Sequence, residues 1–148
     1  MDIDRPGFAA EVSASLERLI GLFRSLSPPS GLSLTAASTL ATLERSGPCR
    51  LTALATGQGV TQPAMTQLVA RLESSGLAAR ETDPADGRVV QVRITGAGLA
   101  TLADRRAVRA ERLAGMLSDL SAEQRAALGA ALPAIDALTG ARQEAGKE

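Results

Sequence analysis

Residues 51–98 read LTALATGQGVTQPAMTQLVARLESSGLAARETDPADGRVVQVRITGAG, and the order of elements in this stretch decides the fold. Leu51, Leu54 and Ala55 give an apolar face about two turns long, closed by Gly57 and Gly59. Thr61 can cap a second helix, Thr61 to Ser75, and Pro63 sits in its first turn, where the missing N–H costs nothing. Gly76 is the expected C-terminal stop. Two strands follow, Ala79–Asp83 and Val89–Ile94. In the second, Val90, Val92 and Ile94 alternate with Gln91 and Arg93, the period of a half-buried strand. Pro84-Ala85-Asp86-Gly87 has the chemistry of the turn between them. Short helix, turn, second helix and charged hairpin spell a winged helix-turn-helix, a shape that puts one helix in a DNA groove.

Helical patterns flank this unit. Phe8, Val12, Leu16, Leu19, Ile20, Phe23 and Leu26 form one stripe on a helix over 8–27, which SPPSG at 27–31 stops. A second helix starts at Thr35, capped by its own hydroxyl, and runs to about Arg45, where Ser46-Gly47-Pro48 ends it. Cys49 and Arg50 suit a very short strand. Downstream, Thr95 caps a long helix over about 96–118 with Leu99, Leu102, Leu113, Met116 and Leu117 apolar. Ser121 and Gln124 form a capping box for a last helix to about residue 140, in which Pro133 predicts a kink. The fold class is mainly α (α+β).

Composition narrows the function. The 148 residues fit one domain, 45% apolar, with Phe8 and Phe23 the only aromatic side chains, so the core is aliphatic. One cysteine gives no internal disulfide framework. No apolar run is long enough to span a bilayer and the start, MDIDRPG, is not a signal peptide, which implies a cytoplasmic protein without a membrane partner. Formal net charge is zero. Within 50–93, Arg50, Arg71, Arg80, Arg88 and Arg93 stand against Glu73, Glu81, Asp83 and Asp86, five minus four, or +1. Phosphate attraction dominates non-specific DNA affinity, so binding here depends on where the arginines sit.

On the helix from Thr61, Met65, Leu68, Val69 and Leu72 share one face and turn to the core. Gln62, Thr66, Gln67 and Arg71 are left on other faces. Glutamine pairs with adenine edges, threonine touches a thymine methyl or a phosphate, and arginine reaches guanine or phosphate. A bland amphipathic helix with a solvated face fits the same residues. The hairpin tip DPADGR adds Arg88, which can enter a narrow minor groove, with Asp86 able to hold its guanidinium. Alone, that pair reads equally as a solvent-exposed ion pair; a recognition-type helix followed directly by such a hairpin is the less common combination.

VTQPAMTQLV, then LESSGL, then DPADGR with the T-x-x-G of Thr95 and Gly98, resembles the MarR (multiple antibiotic resistance regulator) family of bacterial transcription factors. The resemblance implies a single MarR-type domain over 1–148: a winged helix-turn-helix over 34–98, with 1–30 and 99–148 as helical dimerisation parts. It implies a homodimer on a palindromic double-stranded DNA operator, usually as a repressor, often released by a small-molecule effector, with no cofactor. Carried over by motif, Thr61, Gln62, Pro63, Ala64, Thr66 and Gln67 lie on the groove-facing part of the recognition helix. Arg71 is a backbone or base contact, and Asp86 and Arg88 match the wing's Asp and Arg, Arg88 as the minor-groove finger. Many relatives have Arg where Gln67 stands, so this chain carries fewer cations there and leans more on Arg88. The apolar stripes at 8–27, 99–117 and 128–138 exceed what a small winged domain can cover, and a second copy supplies the rest, a monomer with a folded-back helical cap being the alternative. A two-fold dimer sets two recognition helices about one DNA turn apart, roughly 34–36 Å.

Other functions meet obstacles in the residues. Some family members sense peroxide through a cysteine, usually in the first helix, whereas Cys49 follows Gly47-Pro48 and has no second cysteine to resolve it. Arsenic-type metal sensing needs Cys and His clusters, and the chain has no His. An enzyme would lack histidine as general base and shows no paired nucleophile. A winged helix that binds protein instead of DNA is the alternative that weak local charge permits. For an aromatic effector, Phe23 is the stacking candidate.

Overall fold

The structure, a computed structural model, describes residues 6–28 and 31–145. Six helices and one hairpin follow in the order α1 (Phe8–Leu26), α2 (Leu34–Ser46), α3 (Leu51–Gln58), α4 (Gln62–Ser74), β1 (Ala78–Thr82), β2 (Val90–Ile94), α5 (Gly96–Ser118) and α6 (Ala122–Ala145). The architecture is the winged helix-turn-helix with flanking helices that the sequence implies.

Local chemistry accounts for most boundaries. α3 and α4 both end in a Schellman arrangement. Gly59 (φ 65°) and Gly76 (φ 72°) take the left-handed conformation that needs no Cβ. Val60 N–H then bonds Ala55 O, and Leu77 N–H bonds Leu72 O at 2.8 Å. The capping box is present: Gln124 N–H donates to Ser121 Oγ and Ser121 N–H to Gln124 Oε1. Three expectations change. α2 begins at Leu34 because Ser33, not Thr35, accepts the Ala36 N–H as the cap. Gly57 lies inside α3, and Gly59 alone closes it. The first strand lies one residue earlier than expected and the second starts one residue later, paired Ala78↔Ile94 through Thr82↔Val90, so Asp83 and Val89 belong to the tip. Cys49 pairs with Val92 as a single bridge on the outer side of β2. α6 runs on through Pro133 to Ala145. Of SPPSG, Pro29 and Ser30 lie outside the described residues.

The core lies inside the winged unit. Leu40 and Leu43 of α2, Leu54 of α3, Met65, Val69 and Leu72 of α4, Val92 of β2 and Leu102 of α5 bury together. It contains no aromatic side chain. Burying one such aliphatic side chain contributes about 1.5–3 kcal/mol, so the core rests on many medium-sized contacts. The flanking helices differ. α1 buries only Leu26, and Leu16, Leu19 and Ile20 remain exposed. Along α6, Leu128, Leu132, Ile135 and Leu138 face outward, Leu138 at 64% exposure.

α5 joins the two regions. Its Arg106 makes a two-bond contact with Glu44 of α2, at 3.0 and 2.6 Å. Further along, Arg112 donates to the Leu26 and Ser27 carbonyls at the end of α1, where the helix dipole favours a cation. Arg109 lies over the Phe23 ring, 3.9 Å from its centroid. That contact offsets part of the cost of burial, which with the charges of Arg105 and Arg106 holds Arg109 below the ordinary arginine value.

Candidate nucleic-acid interface

α4 is built to expose one face. Met65, Val69 and Leu72 point into the core and Leu68 is half-buried, while Thr61, Gln62, Pro63, Ala64, Thr66, Gln67 and Arg71 are all exposed. Thr61 is the cap: its Oγ1 accepts the Ala64 N–H at 3.3 Å. Gln62 and Pro63 form the first turn. The Thr66 hydroxyl donates to the Gln62 carbonyl at 2.9 Å, which leaves its lone pairs and methyl outward.

Two helices meet beside that face. A crevice of about 270 Å³ is lined by Ser33, the cap of α2, by Thr35 in its first turn, and by Ala64, Gln67, Leu68 and Arg71 of α4. It draws Gln67 and Arg71 together with two hydroxyl residues some thirty positions earlier. Sequence reading missed Ser33 and Thr35 as neighbours of this face, because nothing local signals a contact between separate helices.

The wing tip is a braced loop. Asp83 N–H donates to Val89 O at 2.8 Å. One Asp83 carboxylate oxygen accepts the Ala85 N–H at 2.8 Å, and the other accepts Gln91 Nε2 at 3.0 Å. Asp86 Oδ1 accepts the backbone N–H of Arg88 at 3.0 Å. This corrects the expectation that Asp86 grips the Arg88 guanidinium. The short aspartate chain reaches the amide two residues on more easily than a long, solvated side chain, as in an Asx turn. Asp83 is thus a second organising residue, and the Asp-Pro step at 83–84 was the available signal.

Charge is sorted across this surface. Arg80 pairs with Glu73 at 3.5 Å and Arg93 with Glu81 at 3.0 Å. Among the described residues, the guanidinium groups of Arg71 and Arg88 pair with no carboxylate, and both are exposed. The near-zero balance of the segment therefore hides two available cations per chain at the helix and the wing.

A second hollow lies away from this face. About 480 Å³ is lined by Arg24, Ser27 and Pro28 at the end of α1, Leu32 and Leu34 before and in α2, and Arg105 of α5. Phe23 is not among its walls; its ring is covered by Arg109. Cys49 is half-buried, its thiol 3.3 Å from the Gly47 carbonyl, and burial pushes it up from the ordinary cysteine value. A raised pKa lowers the thiolate fraction that would react with an oxidant. No helix among the described residues is long and apolar enough to cross a membrane.

Residues 32–90 match the model of the MarR family. An HTH-type transcriptional regulator of Mycobacterium bovis is 34% identical over 130 residues, 88% of this chain and 91% of that protein. The crystal structure of RV1404 from Mycobacterium tuberculosis superposes with a TM-score of 0.80 at 22% identity, over 94% of this chain and 97% of that one. BpsR of Bordetella bronchiseptica, whose DNA binding is regulated by 6-hydroxynicotinic acid, has a TM-score of 0.61 at 21% identity, over 92% and 96% of the two chains.

Proposed function

The chain belongs to the MarR family of transcriptional regulators, and from that membership we propose that it binds a palindromic DNA operator as a homodimer, acting in the cytoplasm as a repressor released by a small ligand. The observation that carries the reading is the pairing of an exposed polar face on α4 with an uncommitted arginine at the wing tip. On this reading α4 enters the major groove. Gln62, Thr66 and Gln67 read base edges there, while Thr61, Pro63 and Ala64 bring the helix start against the backbone. Arg71 neutralises a phosphate or reaches a base at the groove's edge. Arg88 enters the minor groove, and Asp86 holds the tip that presents it.

The dimer is supported by apolar surface that one chain leaves in water. Leu16, Leu19 and Ile20 on α1 and Leu128, Leu132 and Ile135 on α6 are each more than a third exposed. A second copy placed against residues 1–30 and 99–148 covers them, with 34–98 as the reading head. Release by ligand is supported by the hollow between the end of α1, the start of α2 and α5, where Leu32 and Leu34 give apolar walls beside Arg24.

Two measurements test this. Light scattering is expected to give twice the 15.2 kDa of one chain. Binding to duplex DNA is expected to weaken steeply with salt, as counterion release requires. A mass of one chain contradicts the dimer. Salt-insensitive or absent DNA binding favours a winged helix that binds protein.

A further inference from the structure

We propose that Thr95 is a positioning residue that latches the end of the recognition helix to the start of α5, so that the reading head follows the orientation of α5. The functional half of this proposal rests on the dimeric DNA-binding reading above.

Thr95 makes three bonds at one point. Its hydroxyl donates to the Gly76 carbonyl at 2.6 Å and accepts the Gly98 N–H at 3.1 Å. Its own N–H donates to the Leu77 carbonyl at 3.1 Å. Gly76 and Leu77 are the residues whose N–H groups close α4, through Glu73 O and Leu72 O. One hydroxyl thus joins the glycine that closes α4 to the first turn of α5, across nineteen positions of sequence.

Gly98 brings the two ends into contact. A Cβ there would lie 2.7 Å from Ile94 Cγ1 and well inside the Leu77 carbonyl oxygen. The first turn of α5 is therefore seated on the chain leaving α4 with no side chain between them. Farther along α5, Leu102 is in the winged core and Arg106 holds Glu44. The same unbroken helix then reaches α1 through Arg109 and Arg112. Between Leu99 and Ala114 it contains neither glycine nor proline. Kinks arise at such residues or where the ladder is interrupted. The end of α4 and α5 thus form one lever, and on the dimeric reading half-site spacing follows the orientation of α5.

Thr95→Asp separates the latch from the cap. Aspartate caps a helix as well as threonine, so Gly98 N–H keeps its acceptor. It has no proton for the Gly76 carbonyl. Thr95→Ser keeps both bonds, and Thr95→Ala loses both without adding charge, which covers a failure of the aspartate variant to fold.

The first readout is the distance between spin labels at Ala70→Cys on α4 and Ala107→Cys on α5, in a Cys49→Ser chain diluted into unlabelled protein. The distribution is expected to be narrow for Thr95 and Thr95→Ser, and roughly twice as broad for Thr95→Asp. The second is affinity for the selected palindrome and for versions with half-sites moved apart by one or two base pairs. The parent and Thr95→Ser are expected to lose about tenfold on moving, and Thr95→Asp less than about threefold. An unchanged distance distribution in both Thr95→Asp and Thr95→Ala overturns the latch. An unchanged spacing preference overturns its role in operator choice. The distance measurement needs no DNA, so absence of operator binding contradicts the DNA reading alone.

Discussion

The carboxylate of Asp86 accepts the backbone N–H of Arg88 at 3.0 Å and leaves the Arg88 guanidinium uncommitted. The two residues act in sequence: one shapes the loop, the other is presented by it. Arg88→Ala is expected to weaken specific operator binding by about 1–3 kcal/mol with an unchanged melting temperature. Asp86→Asn retains an oxygen acceptor and is expected to lose much less than Asp86→Ala. Mobility shifts beside thermal melts measure both. Equal losses for Asp86→Asn and Arg88→Ala would show that the carboxylate charge acts directly.

The internal ion pairs predict an unusual gain. Glu81 holds Arg93, whose side chain is 46% exposed. Glu81→Gln frees that cation beside the wing. The slope of log affinity against log salt is then expected to steepen by about one per protomer, with tighter binding to random duplex. A salt titration followed by fluorescence anisotropy checks this, and an unchanged slope places Arg93 out of reach of phosphate.

Gly98 carries a stability prediction. Gly98→Ala drives a methyl into the Leu77 carbonyl and the Ile94 side chain. Forced overpacking of this kind costs about 1–3 kcal/mol. Urea denaturation measures the loss, and a variant as stable as the parent would mean that α5 shifts freely against Leu77 and Ile94.

This glycine also shows how legible the chain was. The T-x-x-G pattern was visible as a motif, and its cap was expected from Thr95. That Gly98 must lack a side chain was not visible, because the obstructing carbonyl belongs to Leu77, twenty-one positions away. The same divide runs through the molecule. Thr61, Gly76, Thr95 and the Ser121–Gln124 box act within one turn, so local sequence named them. Ser33 displaced Thr35 as the cap because both carry hydroxyls and Leu34, 38% exposed, gives no periodic signal for the helix start. At the wing, sequence neighbours suggested an ion pair, and the backbone amide took the carboxylate instead. The crevice joining Ser33 and Thr35 to Arg71 exists only after folding.

The Glu44–Arg106 contact predicts an acid limb. Hydrogen bonds from the Arg106 guanidinium, opposed by slight desolvation, hold the Glu44 carboxyl below the usual carboxylate range. A group depressed in the folded state contributes stability above its unfolded value and loses it as pH falls through the folded one. The contribution is therefore full at neutral pH and fades below about pH 4.3. Glu44→Gln is expected to flatten the fall in melting temperature across that acid range. A parallel, undiminished acid limb in the variant would assign it to other carboxylates.

The central claim is that two copies of the α4 face and the Arg88 wing read one palindrome. Selection of bound sequences from a randomised duplex library tests it most directly. The account predicts an enriched inverted repeat with half-sites about one helical turn apart, roughly 10–10.5 base pairs, and its loss from the enriched pool with Gln62→Ala and Arg88→Ala. A pool that stays random, or a single half-site enriched without a partner, would contradict it.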